Sequence, residues 1–139
     1  PRYNLIVSTI KEACLRAHRA GLEGLSIHGE VTSRHIPWAL NYLAFSHFIH
    51  WPEDTLRQFG RKTLGQVLAD EDEGEQFAEA MAHLDAGSLS DRQRDDIRQR
   101  TADLRSAVAR GEQLERWRFW DWLCRLADGR TEPHTASFF

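Results

Sequence analysis

Sulfur is scarce in this 139-residue chain, which holds two cysteines and one methionine. Cys14 and Cys124 lie far apart, each inside a helical pattern. They read as small core residues rather than as a disulfide framework, and they do not fix a redox compartment. Lysine is equally sparse: only Lys11 and Lys62 occur, and every other basic side chain of this kind is arginine. The net charge is −3, and no tract of five or more basic residues occurs. A nucleic-acid footprint is therefore not indicated. No apolar run approaches the roughly 18 residues of a membrane span. The opening Pro1-Arg2-Tyr3-Asn4 leads into an amphipathic segment rather than a signal peptide, and the lack of an initiator methionine fits a truncated start. Nucleophile elbow, phosphate loop, dinucleotide fingerprint and paired-cysteine zinc pattern are all missing, and no cofactor is expected. There is no internal repeat and no low-complexity tract.

What is present is an ordinary globular composition, 41% apolar and 28% charged, enough for one domain with a real core. Asn4 can cap a first helix whose Ile6, Ile10, Cys14 and Ala17 repeat at helical spacing. Gly21 ends it. The apolar run from Leu22 to His28 then reads as a β-strand, the one convincing strand in the chain, ending in Gly29-Glu30. A single strand leaves its backbone donors and acceptors unpaired on both edges. Its partners are expected from polypeptide outside this sequence or from another chain.

The loop 29–35 leads to a second helix from Ile36 to Trp51, apolar around most of its circumference, as for a helix buried on several sides. Pro37 suits its first turn. Asn41 interrupts it and needs a hydrogen-bond partner if buried, expected to be a strand or loop backbone. From Pro52 onward the pattern is helical. Leu56, Phe59, Leu64, Val67 and Leu68 line a third helix, with Gly60 and Gly65 as weak points. Residues 70–75 read as a solvated acidic turn lacking the ligand spacing of a calcium loop. A short fourth helix carries Phe77, Ala80, Met81 and Leu84. Ser90 with Gln93 forms a capping box for a charged helix lined by Ile97, Thr101, Leu104 and Val108. Gly111 interrupts it. Leu114, Trp117, Trp120, Leu123 and Leu126 mark a last apolar face, with Phe119 and Trp122 on other sides. The expected class is mainly α with one short β-strand. The expected divisions are a helix–strand–helix segment (1–52), a helical extension (53–130) and a flexible tail (131–139).

In parallel α/β architectures functional groups stand where strands end. Glu30 takes that position beside a glycine that permits close approach of a ligand. It could serve as acid, base, nucleophile or acceptor for sugar hydroxyls, or it could cap the next helix or pair with an arginine. His28 lies two residues earlier and can share its face. His28, Glu30 and His35 could also form a metal set, but their spacing is generic, and His47 with His50 lacks the glutamate of the helical zinc motif. No metal is expected. Trp38 and Tyr42 open the helix after this loop. They could stack on sugar rings or pack against neighbouring structure.

The runs Gly24-Leu25-Ser26-Ile27-His28-Gly29-Glu30, Asn41-Tyr42-Leu43-Ala44-Phe45-Ser46 and Trp51-Pro52-Glu53-Asp54-Thr55-Leu56 together resemble the C-terminal end of bacterial glycoside-hydrolase-like (β/α)8-barrel proteins. The likeness covers roughly residues 20–70; the later helices match only in character. It implies the end of a barrel (α–β–α) followed by a C-terminal helical extension. It places Glu30 on the active-site rim as a catalytic group, with His28, His35, Trp38 and Tyr42 binding a carbohydrate substrate through the parent protein. Glycoside hydrolysis takes two carboxylates about 5–10 Å apart, and the second would lie on strands outside this chain. A self-contained helical interaction module, binding a partner through residues 36–51 and 114–126, is the competing expectation.

Overall fold

The computed structural model describes residues 6–27, 36–111 and 113–129. Among them the chain is all helical. It forms α1 (Val7–Arg19), α2 (Ile36–His50), α3 (residues 56–68), α4 (Glu71–Asp85), α5 (Asp91–Val108) and α6 (Leu114–Ala127). The expected strand is not formed over 22–27. These residues follow α1 without helix or ladder, and Leu22 is 60% exposed. The physical reason is the one its isolation implied: no second strand occurs among the described residues to pair with it. The chain divides into two compact units, Asn4–Ala78 and Glu79–Phe139.

In the first unit α1 buries Val7, Ile10, Cys14 and Leu15 along one face against α2. The expected cap, Asn4, lies outside the described residues. The backbone N–H of Ile6 instead donates to Asn41 Oδ1, 2.9 Å away. The buried asparagine of α2 thus ties itself to the non-helical backbone that leads into α1. At the other end Gly21, at φ +67°, closes a Schellman turn. Its N–H donates to the His18 carbonyl (3.0 Å), and that of Leu22 to the Ala17 carbonyl (3.1 Å).

Helix α2 carries the core of this unit. Leu40, Ala44 and Phe48 are fully buried, together with Phe59 and Leu64 of α3 and Phe77 of α4. Burial of a side chain such as Phe48 stabilises by about 1.5–3 kcal/mol. Pro37 occupies the first turn, as its missing N–H allows.

A capping box starts α3: Thr55 Oγ1 accepts from the Gln58 N–H (3.2 Å), and Gln58 Oε1 accepts from the Thr55 N–H (2.8 Å). The helix then widens into a π-turn over Gly60–Leu64, closed by the Gly65 N–H on the Gly60 carbonyl. Helix α4 crosses at that point. A Cβ placed on Gly74 would collide with the Gly60 carbonyl and the Gly65 N–H and would lie 2.7 Å from the Gly65 Cα. A Cβ on Gly60 would stand 2.6 Å from the Gly74 carbonyl oxygen and 2.7 Å from the Ala78 Cβ. Gly60 and Gly65, read from sequence as weak points, are contact points where two backbones meet.

The acidic stretch 70–75 is exposed at Asp70, Glu71 and Asp72, as expected, but it is not a turn. It is the cap and first turn of α4, where carboxylates favour the positive end of the helix dipole. Asp70 Oδ1 accepts from the Glu73 N–H (2.8 Å), and Glu73 is buried. Arg61 reaches Glu71 (2.7 Å), Asp72 (3.1 Å) and Glu75 (2.9 Å), and Arg57 also pairs with Glu75.

In the second unit Ser90 and Gln93 form the expected capping box of α5. Helix α5 buries Ile97, Thr101, Leu104 and Ala107 against α6. The Thr101 hydroxyl stands between the carbonyls of Ile97 (2.8 Å) and Trp120 (3.2 Å), linking the two helices. Arg94 donates to the Ala127 carbonyl, and Arg98 pairs with Asp128 at 2.6 Å, so two α5 arginines neutralise the negative end of α6. Helix α6 buries Phe119, Trp120, Trp122, Leu123 and Leu126, a broader face than its expected stripe. Leu114, expected on that face, is 53% exposed because it sits at the helix start, away from the buried arc. Both cysteines are free thiols; Cys14 is buried and Cys124 half-buried, and burial pushes both up.

Candidate functional site

Three of the five expected site residues, His28, Glu30 and His35, lie outside the described residues. Trp38 and Tyr42 are placed. They stand one turn apart on α2, Trp38 half-buried and Tyr42 36% exposed. Phe45 and Ile49, both half-buried, continue the same line at helical spacing. The four side chains form a second apolar stripe about 16 Å long, on a different side of α2 from Leu40, Ala44 and Phe48. No Asp, Glu, Lys or Arg occurs between Ile36 and His50. The aromatic pair is thus part of a continuous seam, a geometry that suits contact with an apolar surface along its whole length.

A second constellation was not read from the sequence. His47 lies on the buried face of α2, its side chain wholly enclosed. Its Nδ1 stands 2.8 Å from Thr63 Oγ1, in the π-turn of α3, and its Nε2 stands 3.2 Å from Asp54 Oδ2, in the turn between the helices. The Lys62 ammonium sits 2.7 Å from the same Asp54 oxygen and over the Trp51 ring, 5.6 Å from its centroid. The rings of Phe48, Trp51 and Phe59 surround the imidazole at centroid distances of 4.9, 5.1 and 5.4 Å. Burial holds His47 below the ordinary histidine value. Lys62 acts in the same direction, while Asp54 opposes both, chiefly through its charge.

With its proton on Nε2, beside the Asp54 carboxylate but not aligned for a hydrogen bond to it, the neutral imidazole accepts the Thr63 hydroxyl proton at Nδ1. Hydroxyl, imidazole and carboxylate are the parts of a nucleophilic triad. Here, however, Lys62 already neutralises the carboxylate that would have to support an imidazolium, and the ring is sealed among aromatics. The arrangement ties α2 to α3. Its signal in the sequence is the register: His47 falls in line with Leu40 and Ala44, at a core position. His50 itself is exposed.

Among the described residues no group of three or more His, Cys, Asp or Glu side chains is placed to hold a metal ion, and no helix is long and apolar enough to cross a membrane. Comparison with protein-family models, with curated proteins and with solved structures finds no match for this chain.

Proposed function

We propose that this chain is the C-terminal part of a carbohydrate-active, glycoside-hydrolase-like (β/α)8-barrel protein. In this reading residues 1–52 are the terminal barrel segment and 53–130 a helical extension that buttresses it. Glu30 contributes a carboxylate to the sugar site, flanked by His28 and His35. The observation that carries the reading is the second apolar stripe of α2. A charge-free helix with one face on α1 and another line of Trp38, Tyr42, Phe45 and Ile49 only partly covered has the pattern of a helix laid against a sheet. Residues 22–27 support it as well, since they precede that helix and have no ladder partner among the described residues. Trp38 and Tyr42 then belong to the packing seam at least as much as to the sugar site.

The upstream reading frame tests the architecture directly: repeated βα units are expected there, and their absence defeats the proposal. Glu30→Gln in the full-length parent tests the site. Loss of turnover or of sugar affinity is expected; unchanged values for both remove Glu30 from it.

The second reading, a self-contained helical module, is favoured by one observation: Phe48 and Phe59 in the first unit and Trp122 in the second are fully buried without further polypeptide. The isolated chain distinguishes the two. A cooperative, non-associating helical protein favours the module. Association that is relieved by polar substitution of Phe45 and Ile49 favours the barrel segment.

A further inference from the structure

We propose that His47 is a proton-operated latch, holding α3 on α2 while neutral and releasing residues 51–68 locally when it takes up a proton. This inference does not depend on the sugar-site reading. The latch is geometric. One side chain, enclosed on all sides, bridges a hydroxyl in the π-turn and a carboxylate in the preceding turn. In the tautomer protonated at Nε2, on the Asp54 side, the Thr63 hydroxyl donates to the Nδ1 lone pair, and protonation removes that lone pair. Nδ1–H then points at a hydroxyl oxygen, and the Thr63 proton must turn away to another acceptor.

The new charge is also poorly met. Among the described residues Asp54 is the one carboxylate placed on the ring, and its Oδ2 is already engaged by Lys62. On the remaining sides the ring meets Phe48, Trp51 and Phe59. The other charged groups nearby are turned elsewhere. Lys11 of α1 lies over Phe48, Glu53 pairs with Arg19, and Arg57 and Arg61 of α3 are directed at the α4 carboxylates. His50 stands at the exposed end of α2.

The sign follows from the depressed folded value. Between the folded value and the ordinary histidine value of about 6.5, the released state binds more protons than the latched one. The latch is therefore fully closed above that range and weakens as the pH falls through it. Because the imidazole ties α3 to α2 and not the chain as a whole, opening is expected first in residues 51–68.

Amide hydrogen exchange of the full chain between pH 7.5 and 5.5, corrected for intrinsic rates, reads this directly. The opening constant of residues 56–68 should rise toward acid by up to about tenfold per pH unit, the limit for one proton. In His47→Gln the same amides should show no such dependence. Lys62→Met alters an exposed side chain and keeps the imidazole. It should raise the His47 midpoint seen by NMR titration and shrink the acid step, because Asp54 is then free to meet the imidazolium. A His47 midpoint at or above 6.5 overturns the latch. So do opening constants that stay level with pH in the wild-type chain, or a Lys62→Met midpoint that does not move.

Discussion

Gly74→Ala should destabilise the chain, although alanine is the better helix former by about 1 kcal/mol. The crossing of α3 and α4 decides the sign. The added methyl would meet the Gly60 carbonyl and the Gly65 N–H, the two ends of the hydrogen bond that closes the π-turn, and would stand 2.7 Å from the Gly65 Cα. An unstrained carbon–carbon contact is about 3.5–4.0 Å, so the two backbones must separate by roughly 1 Å. None of the obstructing atoms belongs to a flexible side chain. Separation loosens the contacts of Phe59, Leu64, Phe77 and Ala78, all at or near zero exposure. Overpacking of this kind costs about 1–3 kcal/mol. With backbone atoms obstructing it, the cost belongs to the upper part of that range, so against the helix gain the net loss should be about 1–2 kcal/mol, a fall in Tm of roughly 4–16 °C for a unit of this size. Gly24→Ala is the control, since a Cβ there meets nothing within 4 Å; it should be neutral or slightly stabilising. Thermal denaturation followed by circular dichroism measures both. A Gly74→Ala chain as stable as wild type would refute the backbone-contact argument.

The capping boxes allow a paired test. Thr55→Ala and Ser90→Ala should each cost about 1 kcal/mol in urea denaturation, the first in the Asn4–Ala78 unit and the second in the other. Phe59→Ala removes a ring that touches both Phe48 and His47. It should cost about 3–5 kcal/mol, and a loss below 1 kcal/mol would show that the site collapses around the deletion. Glu75 is held below the usual carboxylate range by hydrogen bonds from Arg61 and then Arg57. Its contribution is therefore present above the unfolded value of about 4.3 and is lost as the pH falls through the folded one. Glu75→Gln should flatten the acid limb of the stability curve below about pH 4, and an acid limb identical to wild type would exclude Glu75 as a contributor.

Helices were legible wherever a local signal marked them. The Ser90–Gln93 box, the stop at Gly21, the first-turn Pro37 and the break at Gly111 all act within a few residues, and each is found where the pattern put it. What was misread depends on contacts distant in sequence. Gly60 and Gly65 look like helix breakers until Gly74 is brought against them. The acidic run 70–75 looks like a turn until it is seen to open α4 and to meet Arg57 and Arg61. The Thr55–Gln58 box is a local signal too, overshadowed in the sequence by the Pro52 break just before it. The strand is the opposite case. Residues 22–27 have the apolar content of a strand, but strand formation is a property of a pair, and no second strand is present among the described residues. Of the site, Trp38 and Tyr42 were correctly set on the second helix. Their membership of a seam with Phe45 and Ile49 was written in the 38–42–45–49 spacing.

The hydrogen bond from Ile6 to Asn41 carries a consequence for the order of events in synthesis. The two residues are 35 positions apart, and a ribosome adding about 5–20 residues per second needs about 2–7 s to span them. During that interval the first turn of α1 has no acceptor for its leading amide and no apolar partner for Val7 and Ile10. Helix α1 must therefore wait, loosely coiled, for α2 to arrive and fasten it.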